Sequence, residues 1–174
     1  MAKENYNVDL FAINSEEELQ QWYANAEGFA EEEELASSGA PDDLETVIAS
    51  IANGAVSGSQ EERMANLNKL SEVMEKFEPT EEQIKQFETY IIEEYKSGRY
   101  ETNLNNHEYM LNILFAANIV TEHHREERTD MFHFAHEFRG MCHSFYILID
   151  SPGSNLAEFS KKKLDNKLKD LGVN

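Results

Sequence analysis

The residues from Asp130 to Ile149 constrain the fold of this chain most. Met131, Ala135, Phe138, Cys142, Phe145 and Ile149 recur at alternating steps of four and three, which sets them on one helical face. Phe134, Met141 and Leu148 widen that face along one edge, so the stripe needs a packed partner. A second row, His136, Gly140, His143 and Ile147, runs along the far flank, where a residue without Cβ admits a neighbouring backbone. The pattern predicts a central helix with contacts on two sides.

Helical signals recur along the rest of the chain. Ser15-Glu16-Glu17-Glu18 reads as a capping box that starts a helix bearing Leu19, Trp22, Tyr23 and Ala26, preceded by an extended arm over Asn5 to Ile13. Beyond Gly28 and the run Glu31 to Glu34, Ser37-Ser38-Gly39-Ala40-Pro41 marks a mobile loop. Pro41-Asp42-Asp43-Leu44 opens a short helix with Leu44, Val47, Ile48 and Ile51 on one side; Gly54 closes it, and Gly54 to Ser59 is a linker.

A second box, Ser59-Gln60-Glu61-Glu62, starts a helix with Met64, Leu67, Leu70, Val73, Met74 and Phe77 at helical spacing up to Pro79. Thr80-Glu81-Glu82-Gln83 starts the next, with Ile84, Phe87, Ile91, Ile92 and Tyr95 up to Gly98, and the two are expected to pair as a tight hairpin. From His107 to about Thr121 the chain is apolar on nearly every side of a helix and should be buried. The polar run Glu122 to Asp130 admits a break or one continuous helix. A break near Glu126 to Thr129 is favoured, with Thr129 or Asp130 as the cap. Asn155 with Glu158 caps a last helix bearing Leu156, Phe159, Leu164, Leu168 and Leu171. The fold class is all-α: a compact single-domain bundle over residues 1–174, of about six or seven helices, with a hydrophobic central helix and an extended N-terminal arm.

The length of 174 residues fits one domain with a real core. The sole cysteine, Cys142, has no internal disulfide partner, and no signal peptide is read at the amino terminus, which points to a reducing, cytoplasmic setting. The most apolar window, Tyr109 to Val120, contains Asn112 and Asn118 and falls short of the roughly 20 residues that span a bilayer.

Two patterns invite a chemical reading. His123, His124, His133, His136 and His143 cluster in sequence, and on a helix His133 and Glu137 lie one turn apart with His136 on an adjacent face. One helix supplies too few metal ligands, and His133-Phe134-Ala135-His136-Glu137 matches neither zincin order. The preferred reading is hydrogen-bonded or solvated histidines, with metal binding by His133, His136, Glu137 and His143 kept as an alternative. Cys142 and His143 point about 100° apart on a helix and cannot form a nucleophile–base pair. With no nucleophile elbow, phosphate loop or dinucleotide fingerprint, no catalytic residue and no cofactor are assigned, and the chain reads as a non-enzyme. The lysines Lys161, Lys162, Lys163, Lys167 and Lys169 suit the carboxyl end of the last helix dipole.

Charge distribution carries the functional signal. Residues 1–62 hold 15 acidic side chains and one basic one, Lys3, a balance of −14 out of the total −19, while residues 63–174 form a main core with −5. Trp22 and Tyr23 are interleaved with Glu16, Glu17, Glu18, Glu27 and Glu31, Glu32, Glu33, Glu34, and Asp42, Asp43 and Glu45 follow. Carboxylates fixed on helices can stand where phosphates would, so this region is expected to bind a protein partner with a basic surface. Direct nucleic-acid or membrane binding is disfavoured by the same charge. In composition the chain is similar to small acidic helical proteins that mimic nucleic acid against restriction, CRISPR or transcription proteins. The expected function is an intracellular inhibitor of that kind, from a phage or mobile element. A third alternative is an adaptor or homo-oligomeric assembly subunit.

Overall fold

Helix starts in this chain are set by short polar side chains that take an orphan backbone N–H. Ser59 accepts from the amide of Glu62 (3.2 Å), Thr80 from Gln83 (3.2 Å) and Asn106 from Tyr109 (3.1 Å). Thr129 accepts from Phe132 (3.1 Å) and Ser154 from Ala157 (3.0 Å). The computed structural model describes residues 40–53 and 57–173, with side chains from residue 46 onward. Among the described residues there are six α-helices and no strand. They are α1 (Ala40–Ala52), α2 (Gln60–Lys76), α3 (Glu81–Ser97), α4 (His107–His123), α5 (Asp130–Tyr146) and α6 (Asn155–Asp170), with a 3-10 turn at Arg99–Glu101. The expected arm over residues 5–13, the helix after Ser15 and the loop around Ser37 lie outside the described residues.

The chain divides into two units, Met1–Gly54 and Ala55–Asn174, at the start of the expected linker. In the first, α1 buries Val47, Ile48 and Ile51, as its spacing predicts. In the second, α4 is apolar all round and packs against α2, α3 and α5, while α5 packs on α4, α6 and α3. The centre is therefore a pair, α4 with α5, rather than Asp130–Ile149 alone. Two aromatic clusters join the layers. Phe77, Phe87 and Phe115 meet with centroids 5.3–6.2 Å apart. Tyr95, Tyr100, Phe134 and Phe138 form the other, and the Tyr95 hydroxyl donates to Lys161 O (3.0 Å) and Asp165 Oδ1 (2.7 Å) of α6.

The favoured break between α4 and α5 is present, spanning His124 to Thr129 with Thr129 as the cap. Several other expectations are corrected. Among the described residues only Thr80–Gln83 closes a full capping box; Glu62 Oε2 instead accepts from Ser57 N (2.8 Å) and Gly58 N (3.0 Å), ahead of its cap. The last helix is capped by Ser154, not Asn155, because the serine hydroxyl one residue earlier reaches Ala157. Instead of forming a close hairpin, α2 and α3 each lie along α4; α2 ends at Phe77, whose backbone is extended (ψ 123°).

Faces are rotated in two helices. On α2 Arg63, Asn66, Leu70 and Val73 are buried and Met64 is half exposed; on α6 Ala157, Ser160, Leu164 and Leu168 are buried, leaving Leu156 and Phe159 in solvent. A second side of α5 does pack, on α6, but not along the expected flank: His136, Gly140 and His143 are exposed, a Cβ at Gly140 would meet nothing within 4 Å, and of that row only Ile147 is buried. The main stripe ends early. With α5 stopping at Tyr146 and Leu148 at φ 63°, Leu148 and Ile149 project into water. No helix among the described residues is long and apolar enough to cross a membrane.

Candidate functional site

Of the acidic positions expected to bind a partner, Glu16, Glu17, Glu18, Trp22, Tyr23, Glu27 and Glu31 to Glu34 lie outside the described residues. Asp42, Asp43 and Glu45 fall in the first two turns of α1, where the backbone alone is described.

The histidines that cluster in sequence disperse in space. His123 and His124 end α4 and face α3, where His124 Nε2 lies 2.6 Å from Glu88 and His123 Nε2 lies 3.9 Å from Glu81. His133, His136 and His143 line the outer face of α5. The His136 ring stacks on Phe132 (5.5 Å, 8° between planes), its Nδ1 lies 3.5 Å from Arg139, and Arg139 donates to Asn118 Oδ1 (2.6 Å). Burial, then the Arg139 charge, lowers the pKa of both His136 and His143. Glu137 turns instead to Lys163 (3.5 Å). Among the described residues no three His, Cys, Asp or Glu side chains are grouped so as to hold a metal ion, so His133, His136, Glu137 and His143 do not form one ligand set. Cys142 is fully buried and burial pushes its thiol pKa up, which suppresses the reactive thiolate.

A buried polar cluster escaped the sequence reading. Arg63, 2% exposed, donates from Nε to Gly58 O (2.7 Å), from Nη1 to Leu104 O (2.8 Å) and Tyr146 O (3.1 Å), and from Nη2 to Asn105 Oδ1 (2.7 Å). Its guanidinium also lies over the Tyr146 ring, 5.1 Å from the centroid. The Tyr146 hydroxyl accepts from Asn66 Nδ2 (3.1 Å) and shares a 2.8 Å hydrogen bond with His107 Nδ1. Burial, then Arg63, lowers the His107 pKa. The arginine thus ties the end of α5 to two loops and satisfies the Tyr146 carbonyl in the last turn of α5. Its donors are consumed by backbone and amide oxygens, which makes the cluster a clamp rather than a reaction centre. The available signal was that Arg63 and Asn66 lie in phase with Leu70 and Val73.

The last turns of α2 and α4 flank a groove of about 630 Å³. Ile119 is buried, and Met74, Phe77 and Pro79 are half-buried, giving an apolar floor. Glu75, Glu78, Glu122 and His123 are exposed along the rim, and no lysine or arginine lines it. Arg125 pairs with Glu122, and Arg139 holds Asn118, both on the α4 side. Such a trough can receive a cation with an apolar body. No family model matches the chain, and no curated protein or solved structure matches it significantly.

Proposed function

We propose that the chain is an intracellular acidic interaction protein that binds and blocks a basic, nucleic-acid-binding protein. The carboxylates of residues 16–45 would take the place of phosphates, as in an inhibitor carried by a phage or mobile element. The observation that carries this reading is the charge map, 15 acidic residues against one basic residue over residues 1–62. A solubilising coat needs no such segregation, and a field of one sign steers a basic partner while repelling nucleic acid and anionic lipid. The test is capture from bacterial lysate at low and high salt with the wild-type chain, with Glu31 to Glu34 changed to lysine, and with His133→Ala/His136→Ala. Support is a basic protein retained at low salt, released at high salt and lost with the glutamate reversal alone. Retention of the same partner by the reversal variant counts against the proposal.

A second reading, an assembly subunit that pairs with its own copy, draws support from exposed apolar side chains. Leu148 (52%), Ile149 (69%), Leu156 (63%) and Phe159 (57%) are all open to solvent. Light scattering across a concentration series tests it. A mass that doubles in the wild type and stays single in Leu156→Ser/Phe159→Ser favours assembly; a concentration-independent monomer excludes it.

A further inference from the structure

We infer that the groove between the last turns of α2 and α4 is a docking site for a short basic polypeptide segment, one with an arginine or lysine on each side of a large apolar residue. The volume of about 630 Å³ lies in the range of ligand-binding sites, and the floor of Met74, Phe77, Pro79 and Ile119 offers an apolar side chain a dry seat. Charge then assigns the flanking residues. Glu75, Glu78 and Glu122 line the groove without any lining lysine or arginine. Arg125 pairs with Glu122 on the α4 side, and neither Glu75 nor Glu78 has an ion-pair partner among the described residues.

The helix ends reinforce this field. Both α2 and α4 bring their carboxyl ends to the groove, each the negative pole of a helix dipole. Glu75 and Glu122 stand in those last turns beside Lys76 and His123, although a carboxylate there opposes the dipole.

The shape favours a chain segment over a small amine. Ser71, Glu75, Glu78, Glu122 and His123 are all exposed, so the site is a trough open along its rim, whereas a small-molecule pocket encloses most of its ligand. A second copy is a poor occupant, since its net charge of −19 would be repelled. The inference rests on the reading that the protein engages a basic partner, and it names residues of α2 and α4 as a further contact for that partner.

The test is a titration of the full-length protein, labelled at Met and Ile methyl groups, with acetyl-Arg-Leu-Arg-amide, followed by NMR. The expected result is saturable shifts at Met74 and Ile119, weakened about tenfold in Glu75→Gln/Glu78→Gln and unchanged in Glu126→Gln/Glu127→Gln. Acetyl-Arg-Gly-Arg-amide, lacking the apolar anchor, and acetyl-Gln-Leu-Gln-amide, lacking charge, should each bind at least several-fold more weakly. No saturable shift at Met74 and Ile119 up to 10 mM peptide, equal binding of the glycine peptide, or indifference to Glu75→Gln/Glu78→Gln would overturn the inference. Shifts confined to residues 1–45 would leave the acidic-region proposal standing and remove the groove. Groove binding together with partner capture that ignores the Glu31 to Glu34 reversal would do the converse.

Discussion

Replacing Arg63 by methionine removes the donor to four oxygens, Gly58 O, Leu104 O, Tyr146 O and Asn105 Oδ1, from a site only 2% exposed. Hydrogen bonds to a charged group contribute about 1.5–3 kcal/mol each, against a cost of several kcal/mol for burying the guanidinium. Methionine keeps the apolar stem, and water can re-enter at the part-buried loop residues, so a net loss of about 3–5 kcal/mol is expected. Urea unfolding followed by circular dichroism at 222 nm reads this directly. With a slope of about 1–3 kcal/mol per molar urea, the midpoint should fall by about 2 M. Met64→Gln, one residue along and half exposed, should stay within about 0.5 kcal/mol of wild type. A loss below about 1 kcal/mol for Arg63→Met, or a larger loss for Met64→Gln, would refute the clamp and the orientation of α2 with it.

Gly140→Ala should stabilise the protein by about 0.5–1 kcal/mol and raise Tm by a few degrees, since the position is mid-helix with open space at Cβ. Destabilisation would restore the packed flank that the sequence suggested. Phe115→Ala, emptying the ring cluster shared by α2, α3 and α4, should cost about 3–5 kcal/mol in the same urea assay. Tyr95→Phe, losing the bonds to Lys161 O and Asp165, should cost about 1–2 kcal/mol. For pH the sign follows from the lowered folded pKa of part-buried His107. Its neutral form favours the fold, so this contribution is complete above about pH 6.5, the ordinary histidine value, and is lost as pH falls through the lowered folded value. The urea midpoint of wild type should therefore drop more between pH 7.5 and 5.5 than that of His107→Gln; equal drops would contradict the assignment.

Helix ends were legible in the sequence because capping is local. Ser59, Thr80 and Gly98 act within three or four residues of themselves, and the boundaries they mark match the structure closely. Helix faces were less so. In α2 the sets Arg63–Asn66 and Met64–Leu67 both run in phase with Leu70, and hydrophobicity alone selects the wrong one. Only the distant oxygens of Leu104, Asn105 and Tyr146 make a buried arginine favourable. In α6 the small residues Ala157 and Ser160 face inward where Leu156 and Phe159 were expected, because close packing against a neighbouring helix rewards fit as well as apolarity. The groove was not legible at all, since it arises where the ends of α2 and α4, distant in sequence, come side by side. The charge segregation needed no structure, because it is a property of composition along the chain.

Salt dependence of partner affinity tests the proposed function most directly. With the captured basic protein purified, Kd is measured by calorimetry from low to high salt for the wild-type chain and for the Glu31 to Glu34 reversal. The predicted result is a Kd that rises steeply with salt in the wild type, and at least tenfold weaker binding with a flatter salt response in the variant. An affinity indifferent to salt and unchanged by the reversal would contradict it.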